Sequence, residues 1–357
     1  MVEAENRDFS DKPLSGVPSF IILGCSSTPE FGFKNISDAQ IHGSVNLPDD
    51  VTRNAGGSSG GAAALVSSGI SPLAPASDGG GSIQSSLTKT VRDTARLLYH
   101  MQTCQMKSPF ILPKLSKVSL EQPFRPLKIA FSTVSPIGGK VSESAIKATK
   151  KGIRVLENLG HHVYEISDQP LNEIEVMQSY YIMNSVETAA MSDGIEGALG
   201  RSMTLEDMEL MTWAIFQSGQ KIPAKVYSKI LAQWDLYSYQ MAVFHEGYDI
   251  LLTPTVADMA PKHGRFALSE SLQNQLKQIA DFDWPKQQEL IWAMFADILD
   301  WTPFTQQANL TGQPSISLPI YRNADGLSLG VQLTAAKGRE DLLLLLAKQM
   351  EERSIFN

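Results

Sequence analysis

The chain has 357 residues, of which 43% are hydrophobic and 19% charged, and its formal net charge at pH 7 is −8. This is the composition of a globular protein with one large core or two domains, and it lacks the basic stripe that binds nucleic acid or an anionic membrane. No apolar run is long enough to span a bilayer, and the charged start does not resemble a signal peptide, so we expect a cytoplasmic protein.

In chain order, the apolar pattern first predicts short alternating elements. They are a strand in 19–27 ("SFIILGCSS"), a buried helix in 62–69 ("AAALVSSG"), a buried strand in 71–77 ("SPLAPAS") and an amphipathic helix in 87–102 ("LTKTVRDTARLLYHMQ"). The third element delivers its carboxyl end to Asp78 and the glycines that follow.

The rest of the chain predicts an α/β fold. A strand, helix and strand in 127–166 form a unit of the kind that connects parallel strands. Residues 172–246 are helical in pattern and rich in Met, Trp and Tyr, which favours a helical subdomain or lid. Further elements follow: a buried strand in 248–255, a helix in 285–299, strands in 314–320 and 327–336, and a closing helix in 339–352.

A run of small residues, Gly79, Gly80, Gly81 and Ser82, follows the third predicted element. Backbone N–H groups without side chains can converge on one oxygen and hold negative charge. The run is therefore a plausible oxyanion hole, with the Ser82 hydroxyl beside it as nucleophile. A tight turn in which only glycine fits is the alternative, and spacing alone leaves both open.

Other short motifs do not fit this region. No lysine follows the glycines of "GGSSGGAA", which excludes a phosphate-binding loop, and "DGGGSIQ" does not match G-x-G-x-x-G. "GSSGG" matches G-x-S-x-G with Ser59 at its centre, but the preceding "DDVTRN" is polar where that motif needs an apolar strand. The histidines His161, His162, His245 and His263 sit in no recognisable catalytic context.

Together these residues resemble the amidase signature family. The chain has G-G-S-S-G-G, then an apolar stretch, then D-G-G-G-S-I, and Ser58 and Ser82 keep the separation of that family's bridging and nucleophilic serines. Segments such as "TPEFGF", "YDILLTPT" and "TPFTQQANLTGQPSISLP" agree as well. The resemblance covers most of the chain. It implies one amidase-like domain over 1–357, with a mixed sheet covered by helices.

The resemblance also implies a Ser–Ser–Lys mechanism for cleaving C–N bonds of linear amides. Ser82 attacks the carbonyl carbon, and Ser58, which lies in a cis peptide in that family, relays the proton to a lysine. The N–H groups of the Gly79–Ser82 run face the developing oxyanion. A buried, desolvated lysine loses its charge readily and can serve as this base.

Further roles are implied around these residues. Ser59 and Asp78 match positions that brace the site, and Phe31 and Phe33 lie where family members line it. The implied partner is a small-molecule amide substrate, with no metal or organic cofactor and no nucleic acid or membrane. A homodimer is one possible assembly.

The catalytic lysine is the main departure from the family pattern. The family places it a few residues after "GVP", but here "SGVPSFIILG" runs directly into the next strand, and no lysine lies between Lys12 and Lys34. Lys12 precedes the matching segment, and Lys34 belongs to a different element of the pattern. A second departure follows Ile83, where the family continues with a longer stretch, and the family's first helices are also not found.

Two explanations compete for these departures. Either the polypeptide truly lacks the segments, or the printed chain joins segments that are not adjacent in the real protein. Removing part of a packed sheet exposes edge groups and core, which favours the second. We therefore expect missing segments before residue 1, near 18–21 and near 83–84. The predicted function is amide hydrolysis; the alternatives are a glutamine-hydrolysing amidotransferase subunit that acts in a complex and an inactive amidase-fold scaffold.

Overall fold

The computed structural model describes residues 24–77, 85–102, 114–115, 125–167, 169–353 and 355–356. Several sequence-based predictions fall outside these ranges: the nucleophile Ser82, the glycines Gly79, Gly80 and Gly81, the supporting Asp78, and the expected breaks before residue 1, near 18–21 and near 83–84.

The described part of the chain contains both strands and helices, and the two types alternate one by one over residues 91–199. In chain order, the strands are β1 (Asp38–Ala39), β2 (Gly43–Ser44), β3 (Asn46–Leu47), β4 (Asp50–Asn54), β5 (Leu73–Ala76), β6 (Ser85–Thr88), β7 (Lys128–Phe131), β8 (His162–Glu165), β9 (Ile250–Pro254), β10 (Ser315–Arg322) and β11 (Ser328–Ala335). The α-helices are α1 (Gly60–Ser67), α2 (Val91–Met101), α3 (Glu143–Asn158), α4 (Glu173–Leu199), α5 (Leu210–Gly219), α6 (Ala224–Gly247), α7 (Glu270–Lys277), α8 (Trp284–Trp301), α9 (Gln307–Thr311) and α10 (Glu340–Glu352).

The central element is a five-stranded sheet of order β10-β11-β9-β7-β8. Strand β7 pairs in parallel with β8 and β9, whereas β11 pairs antiparallel with β9 and β10. All five residues of β9 are buried, as expected for a central strand covered on both faces. The predicted α/β class with a mixed sheet is confirmed, and the predicted strand, helix and strand of 127–166 are β7, α3 and β8.

Two hydrophobic clusters hold the layers together. The first lies between the sheet and helices α2, α3 and α10, and includes Ile129, Leu252 and Leu346, none of which has any solvent exposure. The second joins helices α4, α5, α7 and α8 through residues such as Ile215 and Ile291. Because α4 and α8 also reach the glycine- and serine-rich loop, this second cluster positions one wall of the cavity described below.

The helical pattern of 172–246 is realised as α4, α5 and α6. Helix α4 begins after Asn172, whose side chain accepts a hydrogen bond from the backbone N–H of Glu175, and it ends at Gly200 with φ +68°. Whether this segment acts as a subdomain or lid stays a prediction. Within the described ranges, no helix combines the length and apolar character that crossing a membrane requires.

Several predicted elements differ in detail from the structure. The described part of the first predicted strand, 24–27, has no regular structure. Residues 85–88 form strand β6, and α2 begins only after Thr90, which caps it by accepting a hydrogen bond from the backbone N–H of Asp93. The apolar spacing predicted one helix from residue 87, but residues up to Thr88 belong to a strand. Pairing of this strand with β5 outweighs the local helical pattern.

Candidate active site

The glycines of the loop that carries "GGSSGG" pack closely against the backbone of other segments. A Cβ atom added at Gly57 would lie 2.6 Å from the backbone carbon of Ile36, and one added at Gly61 would lie 2.6 Å from the backbone of Ser27. Neither neighbour can move aside as a flexible side chain would, so these positions accept only glycine. The peptide bond between Gly57 and Ser58 is cis.

A fully buried serine that the sequence analysis did not single out, Ser37, holds this loop in place. Its hydroxyl donates to the Ser58 carbonyl at 2.9 Å and accepts from the Gly60 N–H at 3.0 Å. The Asn54 side chain supports it, since its amide nitrogen donates to the Ser37 carbonyl and its oxygen accepts from the Gly56 N–H. Ser37 thus satisfies a carbonyl and an N–H that buried backbone would otherwise leave unpaired.

The two serines of the loop both point toward the end of β5. The hydroxyls of Ser58 and Ser59 donate to the Ser77 carbonyl at 3.3 and 3.0 Å, and the Ser77 N–H donates back to the Ser59 oxygen at 3.0 Å. Ser59 is therefore tied to the backbone at both its donor and its acceptor. Ser82 lies outside the described residues, but the strands on either side of it are paired, with Ala76 opposite Ser85.

A cavity of about 470 Å³ opens in front of these serines. Its described lining holds no Asp, Glu, Lys, Arg or His, and part of it is apolar, with Phe295 and Leu299 almost fully buried. Tyr181 stacks on Phe295 with ring centroids 4.9 Å apart, and burial raises the pKa of Tyr181 well above its ordinary value. The cavity therefore suits a neutral group, because a charge placed there would lose its hydration without a partner.

One residue that lines this cavity, Gln306, carries a buried polar atom without a hydrogen-bond partner. Gln306 is only 4% exposed, and its Oε1 makes no hydrogen bond. Its Nε2 donates to Thr302 Oγ1 at 3.3 Å, and the Thr302 hydroxyl gives its own proton to the Ile298 carbonyl at 3.0 Å, so the amide nitrogen rather than the oxygen faces Thr302. The Oε1 atom is inaccessible to solvent, so it is an unpaired acceptor of the packed interior and not part of the cavity surface.

A second cavity, of about 580 Å³, adjoins the first and shares Ser58 and Ser77 with it. It lies between helices α4 and α6. Phe33 lines both cavities, and Phe31 lines the second, where it is 52% exposed and has a positive φ of 47°. The structure thus brings both phenylalanines near Ser58; their role in substrate binding stays a prediction.

Lys34 is the lysine closest in sequence to this loop, and its surroundings rule it out as a neutral base. Its ammonium group lies 2.5 Å from Asp38 and 3.0 Å from Glu209. Burial lowers the pKa of Lys34, but the hydrogen bonds and charges of these two carboxylates raise it by more, so the net pKa lies above its ordinary value. Lys34 stays protonated at neutral pH and is structural.

No lysine or histidine lines either cavity within the described ranges. His161 faces the Leu127 N–H and Gln349, and His245 faces the Tyr248 carbonyl and Gln313. The described part of the chain also holds no group of three His, Cys, Asp or Glu side chains arranged around a common metal position. The proton acceptor for a reactive serine is thus not found among the described lining residues.

The sequence pattern could find only part of this site. Ser58 and Ser59 belong to a recognisable motif, whereas Ser37 sits in an ordinary polar segment, and no local pattern marks it. Gln306 lies in "TPFTQQANLTGQ", a segment that resembles the family, but nothing in its spacing distinguishes it from Gln307.

Comparison with known proteins gives consistent matches. The sequence model of the family described as Amidase matches residues 18–86 and 84–344, so the match is interrupted where the second departure from the family pattern lies. A lipoamidase of Enterococcus faecalis is 32% identical over 95% of this chain, which spans about half (49%) of that protein's length. A 6-aminohexanoate-cyclic-dimer hydrolase of Paenarthrobacter ureafaciens is 26% identical over 93% of this chain and 73% of its own.

Solved structures agree with the sequence matches. A 6-aminohexanoate cyclic dimer hydrolase complexed with substrate superimposes with a TM-score of 0.81 at 25% identity, covering 93% of this chain and 74% of its own. A bacterial aryl acylamidase of the amidase signature enzymes has a TM-score of 0.76 at 22% identity, with 92% and 72% covered, which is a likeness of fold. With the family match extending over most of its length, this chain belongs to the amidase signature family, whose similar members include amide hydrolases.

Proposed function

We propose that this protein hydrolyses a carboxylic amide through an acyl-enzyme on Ser82, with Ser58 as proton relay. The observation that carries the proposal is the hydrogen bond between the Ser58 hydroxyl and the Ser77 carbonyl at 3.3 Å, at the mouth of an uncharged cavity. Ser77 lies five positions before Ser82 in the chain, so this hydrogen bond supports Ser58 as the relay for a nucleophile in the following segment. The amide hydrolases among the relatives support the reaction class.

The proposed reaction has two halves. The Ser82 oxygen gives its proton through Ser58 to a base and forms a bond with the amide carbon, and the N–H groups of Gly79–Ser82 stabilise the oxyanion. The proton then passes to the nitrogen, the C–N bond breaks and the amine leaves. Water attacks the resulting ester by the same proton path and releases the carboxylic acid.

The base is the open part of this mechanism. Lys34 is excluded by its ion pairs, and the described lining of the cavities holds no other lysine or histidine. We assign the role to a lysine that the printed chain does not contain, in the segment expected near residues 18–21. The rival hypothesis is an inactive scaffold, and the absence of a free base among the described lining residues favours it. The two hypotheses differ in whether the protein has this lysine.

A fluorophosphonate probe tests the nucleophile directly, because it phosphonylates an activated serine. We expect labelling of the wild type, with the adduct located on Ser82 by peptide mass spectrometry, and none of Ser82→Ala. Ser58→Ala should label far more slowly, with an unchanged melting temperature. Ser68→Ala, which removes an exposed hydroxyl of α1, is the matched control and should behave as the wild type.

A panel of aliphatic, aryl and peptide-like amides, with glutamine included, then tests the reaction. Turnover by the wild type and its loss in Ser82→Ala would support hydrolysis. Turnover that survives in Ser82→Ala would reject the assigned nucleophile. Absence of both labelling and turnover would favour the inactive scaffold, and glutamine hydrolysis only with an added partner would favour the amidotransferase subunit.

A further inference from the structure

The second cavity contains a charged side chain that the proposed mechanism does not use. Among the described residues that line the two cavities, Glu187 is the one with a charged group. No ion pair among the described residues includes it. An acidic group with no basic partner, placed in a cavity next to the candidate catalytic serine, is available to a cationic ligand.

The position of Glu187 follows from the periodicity of α4. Tyr180, Met183, Asn184 and Glu187 all line this cavity, and their spacing of three, four and seven residues places them on one face of the helix. Tyr180 also lines the first cavity, so it marks the shared part. At a rise of about 1.5 Å per residue, Glu187 lies ~10 Å further along α4 than Tyr180. This distance is roughly the length of three extended residues, or about nine chain atoms.

The carboxylate of Glu187 is held by a neighbour on α6. The Tyr227 hydroxyl donates to Glu187 Oε1 at 2.8 Å, which leaves Oε2 open to a ligand. This hydrogen bond raises the pKa of Tyr227, so the phenol stays a donor at neutral pH. Tyr180 and Trp234 add aromatic rings to the same cavity, and such rings attract cations.

The linings of the two cavities indicate which half of the substrate each one holds. Exposed residues border both cavities, Gly57 and Ser328 at the first and Phe31 and Leu231 at the second, so the two differ in charge and not in access to solvent. The described lining of the first cavity holds no charged side chain, whereas the second has Glu187. The uncharged arm therefore suits a neutral acyl group that stays on the serine, and the arm with Glu187 suits an amine half that carries a cation.

We infer that the second cavity binds the leaving amine of the substrate and that Glu187 recognises a primary ammonium group at the far end of that amine. The substrate class is thus a mono-acylated diamine: a neutral acyl group, an amide bond and an alkyl chain that ends in –NH₃⁺ and reaches Glu187. This inference rests on the proposed amide hydrolysis at the same site. Asn184 and Tyr227 complete the polar end of the arm.

The first test compares three amides that share one acyl group and one alkyl length and end in ammonium, hydroxyl or carboxylate. For the wild type we expect kcat/KM to favour the ammonium amide over the hydroxyl amide by roughly threefold to tenfold, the range of a partly exposed ion pair assisted by aromatic contact. Added salt should reduce the preference, because the pair is solvent-accessible.

Substitutions at Glu187 make the test specific. Glu187→Gln should abolish the ammonium preference, because it lowers kcat/KM for the ammonium amide much more than for the hydroxyl amide, and Glu187→Lys should turn the preference toward the carboxylate amide. Asp193→Asn removes an equal charge from an exposed position of α4 that lines neither cavity, so it should retain the wild-type preference. A preference that persists in Glu187→Gln overturns the inference while hydrolysis stands.

Binding provides a readout that does not depend on turnover. In the Ser82→Ala background, calorimetry should show that the ammonium amide binds more tightly than the hydroxyl amide, and that adding Glu187→Gln removes the difference. Equal binding of the two amides in Ser82→Ala overturns the inference. If the wild type cleaves no amide but this binding difference is present, the proposed hydrolysis fails and the cation site is retained.

Discussion

Replacing Ser37 by alanine tests how Ser58, the proposed relay serine, is positioned. The Ser37 hydroxyl lies in a fully buried position and makes two hydrogen bonds, one to the Ser58 carbonyl at 2.9 Å and one from the Gly60 N–H at 3.0 Å. Ser37→Ala leaves both backbone groups without these partners. Each unsatisfied buried group costs about 1–3 kcal/mol, and the carbonyl of half-buried Ser58 lies at the low end of this range, so we expect the free energy of unfolding to fall by about 2–4 kcal/mol.

The expected change in melting temperature follows from the size of the chain. At about 2.1 cal/mol/K per residue, the unfolding entropy of 357 residues is roughly 0.75 kcal/mol/K, so this loss lowers Tm by ~3–5 °C. The cis Gly57–Ser58 segment also loses its main anchor. If Ser58 relays the proton, kcat for amide hydrolysis should therefore fall much more than KM rises.

Thermal unfolding followed by circular dichroism, together with steady-state kinetics, measures both effects. Ser68→Ala is the control: its exposed hydroxyl bonds only within α1, to the Ala64 and Leu65 carbonyls, and its loss should change stability by no more than ~0.5 kcal/mol. The bracing role of Ser37 would be refuted if the Tm of Ser37→Ala lay within about 1 °C of the wild-type Tm and its kcat were unchanged.

Three further predictions concern other buried polar groups. Burial raises the pKa of Glu173 to about 8, so the folded chain keeps a proton that the unfolded chain releases above pH 4.5. The free energy of unfolding should therefore fall as pH rises from 4.5 to about 8. Thermal melts at pH 5 and 9 should show this loss in the wild type and not in Glu173→Gln. Gln306→Leu removes a buried acceptor that has no partner, so thermal melts should show a Tm that is unchanged or slightly raised; a clear loss of Tm would contradict the unpaired acceptor. Lys34→Met leaves Asp38 and Glu209 unpaired and should destabilise the protein by about 3 kcal/mol or more in urea titrations, and an unchanged midpoint would contradict the structural role.

The layout of the chain was readable from local patterns. The parallel unit of β7, α3 and β8, the central strand β9 and the closing helix α10 all have the predicted type. Apolar residues recur at helical spacing in α3, β9 is a short continuous apolar run bounded by a turn, and the length of the apolar segment favours a helix for α10. The "GGSSGG" motif likewise marked Ser58 as a functional candidate. Here the sequence pattern sufficed because motif residues are adjacent in the chain.

Predictions failed where contacts between distant segments outweighed the local pattern. The helical spacing from residue 87 did not reveal β6, since pairing with β5 decides the conformation of 85–88. The need for glycine at position 57 was visible only when Ile36 was found packed against it. Neither contact can be inferred from a window of neighbouring residues.

The sequence by itself determined the family, the α/β class and the pair of serines that carry the proposed chemistry. Only the tertiary structure decided that Ser37 anchors Ser58, that Lys34 is committed to two carboxylates and that the site has two arms, one neutral and one with Glu187. These features depend on segments that are far apart in the chain: Ser37 contacts the glycine-rich loop, Lys34 contacts Glu209, and residues of α4 lie opposite residues of α6 and α8. Such contacts arise from packing between layers, and packing leaves no periodic signal in the chain.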